Sequence, residues 1–139
     1  MKVKDVMHHG AIWVGPETPL AEIAKMMRDE DIGAVPIGED DRLIGMVTDR
    51  DIVCRGLAEG GDCNALTARD VLSKPVLYCR TDEDVEDALR IMEKNQIRRL
   101  PVIDEKKRLA GILAIGDITR KAGRELTGEV MQSVASHHA

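Results

Sequence analysis

At 139 residues, with 43% hydrophobic and 32% charged residues, the chain has the make-up of one ordinary globular domain and too much apolar content to stay disordered. Aromatic residues are nearly absent, Trp13 and Tyr78 alone with no Phe, and the net charge is −5; base stacking and a broad phosphate-binding surface both lack the residues they need, so nucleic acid is not the expected partner. No apolar run reaches the ~18 to 20 residues of a membrane span and the N-terminus lacks the apolar stretch of a signal peptide, which predicts a cytoplasmic protein with no membrane partner.

In chain order, Ala11 to Val14 is a short apolar run ended by Gly15-Pro16, the signature of a strand and a turn. Thr18 reads as an N-cap and Pro19 as a first helical residue, and Leu20, Ile23, Ala24 and Met27 recur at helical spacing, predicting an amphipathic helix of about three turns. Ala34 to Ile37 and Leu43 to Val47 are β-prone runs around the polar turn Gly38 to Arg42, which predicts an antiparallel hairpin. A second helix follows from about Asp49 and ends near Gly56, where glycine can take the left-handed terminating conformation.

Residues 58–67 hold Gly60-Gly61-Asp62 and no clear period, and read as a linker. The pattern then starts again: an apolar run at Val76 to Cys79, a helix over Val85, Ala88, Leu89 and Met92, a hairpin of Leu100 to Ile103 with Leu109 to Leu113, and a final helix from Gly116. Ser133 to Ala139 form a loosely held tail. The expected organisation is a first repeat over 1–57, the linker, a second repeat over 68–123 and a tail over 124–139.

The two halves repeat residues as well as periods. Lys4-Asp5-Val6-Met7 returns as Arg69-Asp70-Val71-Leu72, and Ile32-Gly33-Ala34-Val35-Pro36-Ile37 as Ile97-Arg98-Arg99-Leu100-Pro101-Val102, 65 positions later. After a one-residue insertion Leu43-Ile44-Gly45-Met46-Val47 is echoed by Leu109-Ala110-Gly111-Ile112-Leu113, and Asp51-Ile52 by Asp117-Ile118. Halves of roughly 65 residues are marginal alone, so a shared core is expected.

Other chemistries find little support. Cys54, Cys63 and Cys79 are too few for a disulfide framework; Cys54 and Cys79 sit in or beside apolar elements and read as core, while Cys63, in the polar linker, is the better candidate for oxidation. His8-His9 and His137-His138 are adjacent pairs near the chain ends, without the spacing that places ligands on one ion, so no metal site is expected. There is no nucleophile elbow, Walker loop or Rossmann fingerprint, and Asp40-Asp41 falls in a hairpin turn, so no enzyme is expected.

The βαββα order given twice, with a Lys-Asp-Val-Met lead-in, an apolar-Pro-apolar second strand and a closing Gly-apolar-apolar-Thr-x-x-Asp-apolar run, resembles the CBS domain pair, or Bateman module, over about residues 2 to 123. The resemblance implies an α/β (α+β) fold of tandem repeats packed with pseudo-two-fold symmetry. It also implies a regulatory module binding an adenosine derivative, AMP, ADP, ATP or S-adenosylmethionine, in the cleft between repeats, a flat homodimer, and signalling to an unidentified regulated protein. The chain is similar to small stand-alone bacterial proteins of hypoxia and stress responses. A ligand-free scaffold acting through dimerisation is the other reading.

Thr48 and Asp51 fall at a strand end and in the first helical turn, three apart on one face. A helix start offers free N–H groups to a phosphate, the Thr48 hydroxyl adds a donor, and the Asp51 carboxylate can accept from both hydroxyls of a ribose. The same two residues would equally serve as cap and first-turn acid. Arg98 and Arg99 point to opposite faces of their strand, so one can enter a given cleft, where a guanidinium matches a phosphate; the family implies that it reaches the nucleotide on the Thr48/Asp51 side. A solvated surface pair is the alternative. Gly33 and Ala34 are small enough to admit a flat base, and the family implies that Ile32, Ala34 and Met46 line the adenine; Ile32 and Met46 could equally be core. In the second copy Ala114 replaces Thr48 and Gly33-Ala34 replace the two arginines, so the cleft at Asp117 is expected to be weak, empty or selective for an uncharged adenosyl ligand.

Overall fold

The computed structural model describes residues 1–10, 12–72 and 76–121, together with Gly128 and Gln132. The chain divides into two compact units, Ile12–Val76 and Met1–Ala11 with Leu77–Ala139.

In the first of these, α2 (Leu20–Glu30) buries Leu20, Ile23 and Met27, the stripe that three-and-four spacing dictates. It follows a short helix α1 (Val3–Val6) and strand β1 (His8–His9) that belong to the other unit. The helix begins one residue later than expected, with Pro19 as N-cap. Neither flanking side chain caps it, because the chain itself does: Leu66 and Cys63 carbonyls accept from the N–H groups of Leu20 and Ala21, both at 2.9 Å. The linker is therefore the cap of α2, which fills the orphan donors of a helix start. At the other end no glycine is needed; Asp31 takes the left-handed conformation at φ 53° and returns its N–H to Met27.

Strands β2 (Ala34–Glu39) and β3 (Arg42–Thr48) pair antiparallel from Ala34↔Thr48 to Glu39↔Arg42. They run further into the polar turn than expected, leaving Asp40-Asp41 as a two-residue loop with φ of 54° and 62°, the geometry of a type I′ hairpin. At the register shift beside Gly38, a Cβ would come 2.7 Å from the Trp13 ring, so glycine there makes room for the indole. The strand expected over Ala11–Val14 reduces to a single parallel bridge from Val14 to Ile37, and Ala11 lies outside the described residues.

The second helix of this repeat starts on α3 (Asp49–Asp51) and continues as a π-helix over Ile52–Leu57. The expected left-handed stop at Gly56 is not found. Gly56 is buried within the π-helix, where a Cβ would meet Leu20 Cδ1 at 3.0 Å, and it is Gly60 that takes positive φ, at 79°.

The other unit carries the second copy. Strand β4 (Cys79–Arg80) is shorter and later than the expected Val76–Cys79 run and pairs parallel with β5 (Arg99–Ile103). Helix α5 (Val85–Asn95) buries Val85, Ala88, Leu89 and Met92 and ends on Gln96 at φ 55°. Strand β5 pairs antiparallel with β6 (Leu109–Ala114), β1 adds to the far side of β6, and α6 (Ile115–Thr119) closes the repeat. The tail over 124–139 falls, apart from Gly128 and Gln132, outside the described residues.

The lead-in segments are exchanged. Val3, Val6 and Met7 pack into the core of Val85, Met92, Leu100 and Leu113, while the second lead-in, α4 (Ala68–Val71), puts Ala68, Val71 and Leu72 into the core of Leu20, Ile23, Val35 and Val47. The backbone bonds match one for one: Val3 N–H donates to Glu83 and Ala68 to Thr18, Lys4 to Thr81 and Arg69 to Pro16, Val85 to Met1 and Leu20 to Leu66, all at 2.9 to 3.0 Å. A cation closes each lead-in, Arg55 Nη1 donating to the Val71 and Leu72 carbonyls at 3.0 and 3.3 Å, and Lys121 Nζ to the Asp5 carbonyl at 2.9 Å. Each half thus completes its own core with a borrowed segment, where a core common to both was expected; that is how a marginal repeat gains buried area.

Cys79 is buried, Cys63 is half-buried, and Cys54 is exposed, correcting the expectation of a core position for Cys54: its helix buries Gly56 against Leu20 and leaves the thiol face out. Burial, reinforced by the Glu83 charge, pushes the Cys79 thiol up to about 12 from 9.0. Above pH 9.0 the unfolded chain ionises first and binds fewer protons than the folded one, so this thiol's contribution to stability is complete below that pH and fades as pH rises toward about 12. With a thiol reagent at pH 8, Cys54 should label first and Cys79 only on unfolding; equal rates for the two in native protein would contradict the packing.

Two glycines of the second repeat give opposite predictions. A Cβ at Gly111 would run into the His8 carbonyl and the Met7 side chain, whereas at Gly116 nothing lies within 4 Å. In urea titrations Gly111→Ala should lose ~2 to 3 kcal/mol, and Gly116→Ala, within α6, should gain up to ~1 kcal/mol. A Gly111→Ala variant as stable as the parent would refute the close approach of β1 to β6.

Candidate functional site

Cross-strand pairing decides which side chains share a face of the first hairpin. Ala34 lies opposite Thr48 and Pro36 opposite Met46, and side chains alternate along a strand, so Ala34, Met46 and Thr48 occupy the face turned away from Val35, Ile37 and Val47, which are 0% exposed. Three residues expected at a ligand therefore lie together. Ile32, just before the strand, is half-buried and packs on the first core. Ala34 is only 2% exposed, so the apolar surface that the expected base could meet comes mainly from Met46 and Ile32, both partly exposed.

At the strand end the chain turns into α3 through reciprocal bonds. Thr48 N–H donates to Asp51 Oδ2 at 2.9 Å, and Asp51 N–H to Thr48 Oγ1 at 3.1 Å, the two halves of a capping box. Asp49 N–H donates to the Gly33 carbonyl at 3.0 Å, and Arg50 N–H to Asp49 Oδ1 at 2.9 Å. The capping role is therefore real. It also corrects the expected phosphate cradle: the N–H groups of residues 48 to 51 are all engaged by the chain, so backbone donors are not on offer here. What the turn presents is side-chain chemistry: the Thr48 hydroxyl proton, since Oγ1 acts as acceptor in the cap, and the carboxylate of half-buried Asp51.

The second copy repeats the turn with two changes. Ala114 N–H donates to Asp117 Oδ2 at 3.0 Å and Ile115 N–H to the Arg98 carbonyl at 3.0 Å, as their counterparts do. There is no hydroxyl at Ala114, and Arg120 Nη2 donates to Asp117 Oδ1 at 2.6 Å. Arg120 was not singled out from the sequence, although its place three residues after Asp117 is the spacing of a helical ion pair; its counterpart in the first repeat is Cys54.

Arg98 is exposed, and Arg99, the first residue of β5, is half-buried opposite Ala114, where the first repeat has Ala34 opposite Thr48. Both arginines belong to the unit that holds Asp117, while Thr48, Asp51, Ile32, Ala34 and Met46 belong to Ile12–Val76.

For metals, no group of three or more His, Cys, Asp or Glu side chains is found among the described residues. His8 and His9 are exposed in β1, with His9 Nε2 2.8 Å from the Lys4 carbonyl, and His137 and His138 lie outside the described residues. No helix among the described residues is long and apolar enough to cross a membrane.

Comparison with known proteins places these features. Hypoxic response protein 1 of Mycobacterium tuberculosis is 41% identical over 134 residues, spanning 96% of this chain and 93% of that protein. A crystal structure of Hypoxic Response Protein I with two coordinated zinc ions superposes with a TM-score of 0.81 at 44% identity, covering 88% of this chain and 100% of that one. The CBS domain pair of protein MJ0100, solved in complex with 5′-methylthioadenosine and S-adenosyl-L-methionine, matches with a TM-score of 0.77 at 29% identity over 86% of this chain and 94% of that one. The CBS domain model matches residues 3–55 and again 68–124, so the duplicated βαββα pattern has its explanation: the chain belongs to the CBS domain family, as a tandem pair.

Proposed function

We propose that this chain is a regulatory, non-catalytic module that senses an adenosine derivative and binds it principally on the first repeat. The observation that carries this reading is the shared face of Ala34, Met46 and Thr48 leading into the capped turn at Asp51. Met46 and Ile32 offer apolar contact to the faces of an adenine. Asp51 accepts from ribose hydroxyls, for which a carboxylate has lone pairs beyond the one its own cap uses. Because the backbone donors of the turn are taken, the phosphates of AMP, ADP or ATP fall to side-chain donors, the Thr48 hydroxyl and, as the family resemblance implies, one guanidinium of Arg98 or Arg99. That MJ0100 holds two adenosyl compounds supports the ligand class, and S-adenosylmethionine belongs to it.

Sensing then works by population shift: a ligand with different affinities for two arrangements of the protein biases one of them, and a partner reads the result. A second copy of the chain is the first such partner. Val53 and Leu57, 54% and 63% exposed, stand one turn apart on the π-helix, an apolar stripe that a homodimer would cover. Zinc, coordinated in the Hypoxic Response Protein I structure, finds no three-donor grouping among the described residues here.

The scaffold reading draws on the fully bonded turn and the near-complete burial of Ala34, which suit a closed face. Thermal unfolding with AMP, ATP, S-adenosylmethionine and NAD separates the two, since a ligand at a hundred times its Kd stabilises by ~2.7 kcal/mol. An adenosyl compound should raise Tm; no response to any of them favours the scaffold. By calorimetry, Asp51→Ala should weaken binding about tenfold or more, from lost bonds to a charged acceptor, and Asp117→Ala much less. Equal losses would refute the preference for the first repeat.

A further inference from the structure

The second repeat carries an ion pair at its acidic turn. Asp117 is tied on both oxygens, Oδ2 by Ala114 N–H at 3.0 Å and Oδ1 by Arg120 Nη2 at 2.6 Å. The Asp117 side chain is 13% exposed and that of Arg120 is 73% exposed, so the guanidinium reaches in from solvent and caps the carboxylate. In the first repeat the position of Arg120 is held by Cys54. We propose that Arg120 is a built-in stopper: it occupies the Asp117 oxygen that a ribose would need, and so closes the second repeat to adenosyl ligands. The proposal rests on the reading of Asp51 as a ribose acceptor in the first repeat, and adds the residue that makes its copy unequal.

Both hydroxyls of a ribose are donors that seek the same lone pairs as the guanidinium. A ligand must therefore break a charge-assisted bond before it makes its own. The pair is exposed on the arginine side, where such bridges change an equilibrium by up to about fivefold, enough to tilt selectivity and weak enough to be released by substitution. Arg120 is largely solvated, so replacing it leaves the core untouched.

The test is calorimetry on the full chain with 5′-methylthioadenosine, an uncharged probe that needs no phosphate contact, against the parent, Arg120→Ser, Arg120→Lys and the double variant Arg120→Ser with Asp117→Asn. The parent should bind one equivalent tightly. Arg120→Ser should show a second equivalent, with the second-repeat affinity raised about threefold to fivefold; Arg120→Lys should stay like the parent, and the double variant should return to one. Added NaCl should narrow the gap between parent and Arg120→Ser, because salt screens the exposed pair. Arg120→Ser binding like the parent, or more weakly, would overturn the proposal, the latter by making Arg120 a ligand contact. If the parent binds nothing while Arg120→Ser gains one equivalent, the first-repeat reading fails and the stopper stands; if neither variant binds, both fall.

Discussion

The exchange of lead-in segments is the constraint on which the rest of the structure depends. Each repeat is too small to close a core alone, and each is completed by the segment that precedes the other: Val3, Val6 and Met7 under α5, Ala68, Val71 and Leu72 under α2. The three matched pairs of backbone bonds at 2.9 to 3.0 Å fix both borrowed helices in register. Neither α1 nor α4, four residues each, could persist in isolation, since nucleating a helix is costly and a single turn does not recover the cost. Their stability is tertiary, and the two halves of the chain are tied by a topology in which removing either lead-in opens the opposite core.

On that frame the strand-to-helix turn after the hairpin is kept in both copies, with the acidic residue at Asp51 and Asp117 bonded to the N–H of residues 48 and 114. The turn is a structural device first. Its carboxylate satisfies a donor that would otherwise be orphaned as the strand ends. Divergence can then act on what surrounds the acid without disturbing the turn: hydroxyl or methyl at 48 and 114, thiol or guanidinium at 54 and 120, small or cationic residues at 34 and 99. The two copies thus keep one turn geometry and vary the side chains beside it, in the sense that folds hold sites without dictating them.

Much of this was legible in the residues. The 65-position offset, the helical stripes at Leu20 and Val85, and the two hairpins follow from period and turn chemistry alone. The type I′ loop at Asp40-Asp41 was less so, because two adjacent aspartates in left-handed geometry replace the usual glycine. Helix ends at Asp31 and Gln96 also carried no glycine signal, and Gly56, which did, serves close packing against Leu20 instead. Local rules read a glycine as a stop; they do not see a neighbour 3.0 Å away. The capping of α2 by Leu66 and Cys63 was hidden for the same reason, since its donors and acceptors lie some 40 residues apart. In the site, the identity of Thr48 and Asp51 was readable, but the engagement of the N–H groups of residues 48 to 51 was not, because it depends on the Gly33 carbonyl and on side chains that turn back on their own backbone.

The π-helix makes the last connection. Asp51 ends α3, and Arg55 lies four residues on, within the π-helix, where its guanidinium holds the carbonyls of Val71 and Leu72 at 3.0 and 3.3 Å. Such wide turns place one more residue in the hydrogen-bonded ring than an α-helix does and are frequent at functional sites. Because α3 and the π-helix are continuous, any displacement of Asp51 is a displacement of the element that clamps the borrowed lead-in. The second repeat uses Lys121 on the Asp5 carbonyl at 2.9 Å in the same place, a single point charge on a flexible stem where Arg55 is a planar fork on two acceptors. The stiffer clamp therefore stands in the repeat that has Cys54 one turn after its acidic residue, and the looser clamp in the repeat that has Arg120 there.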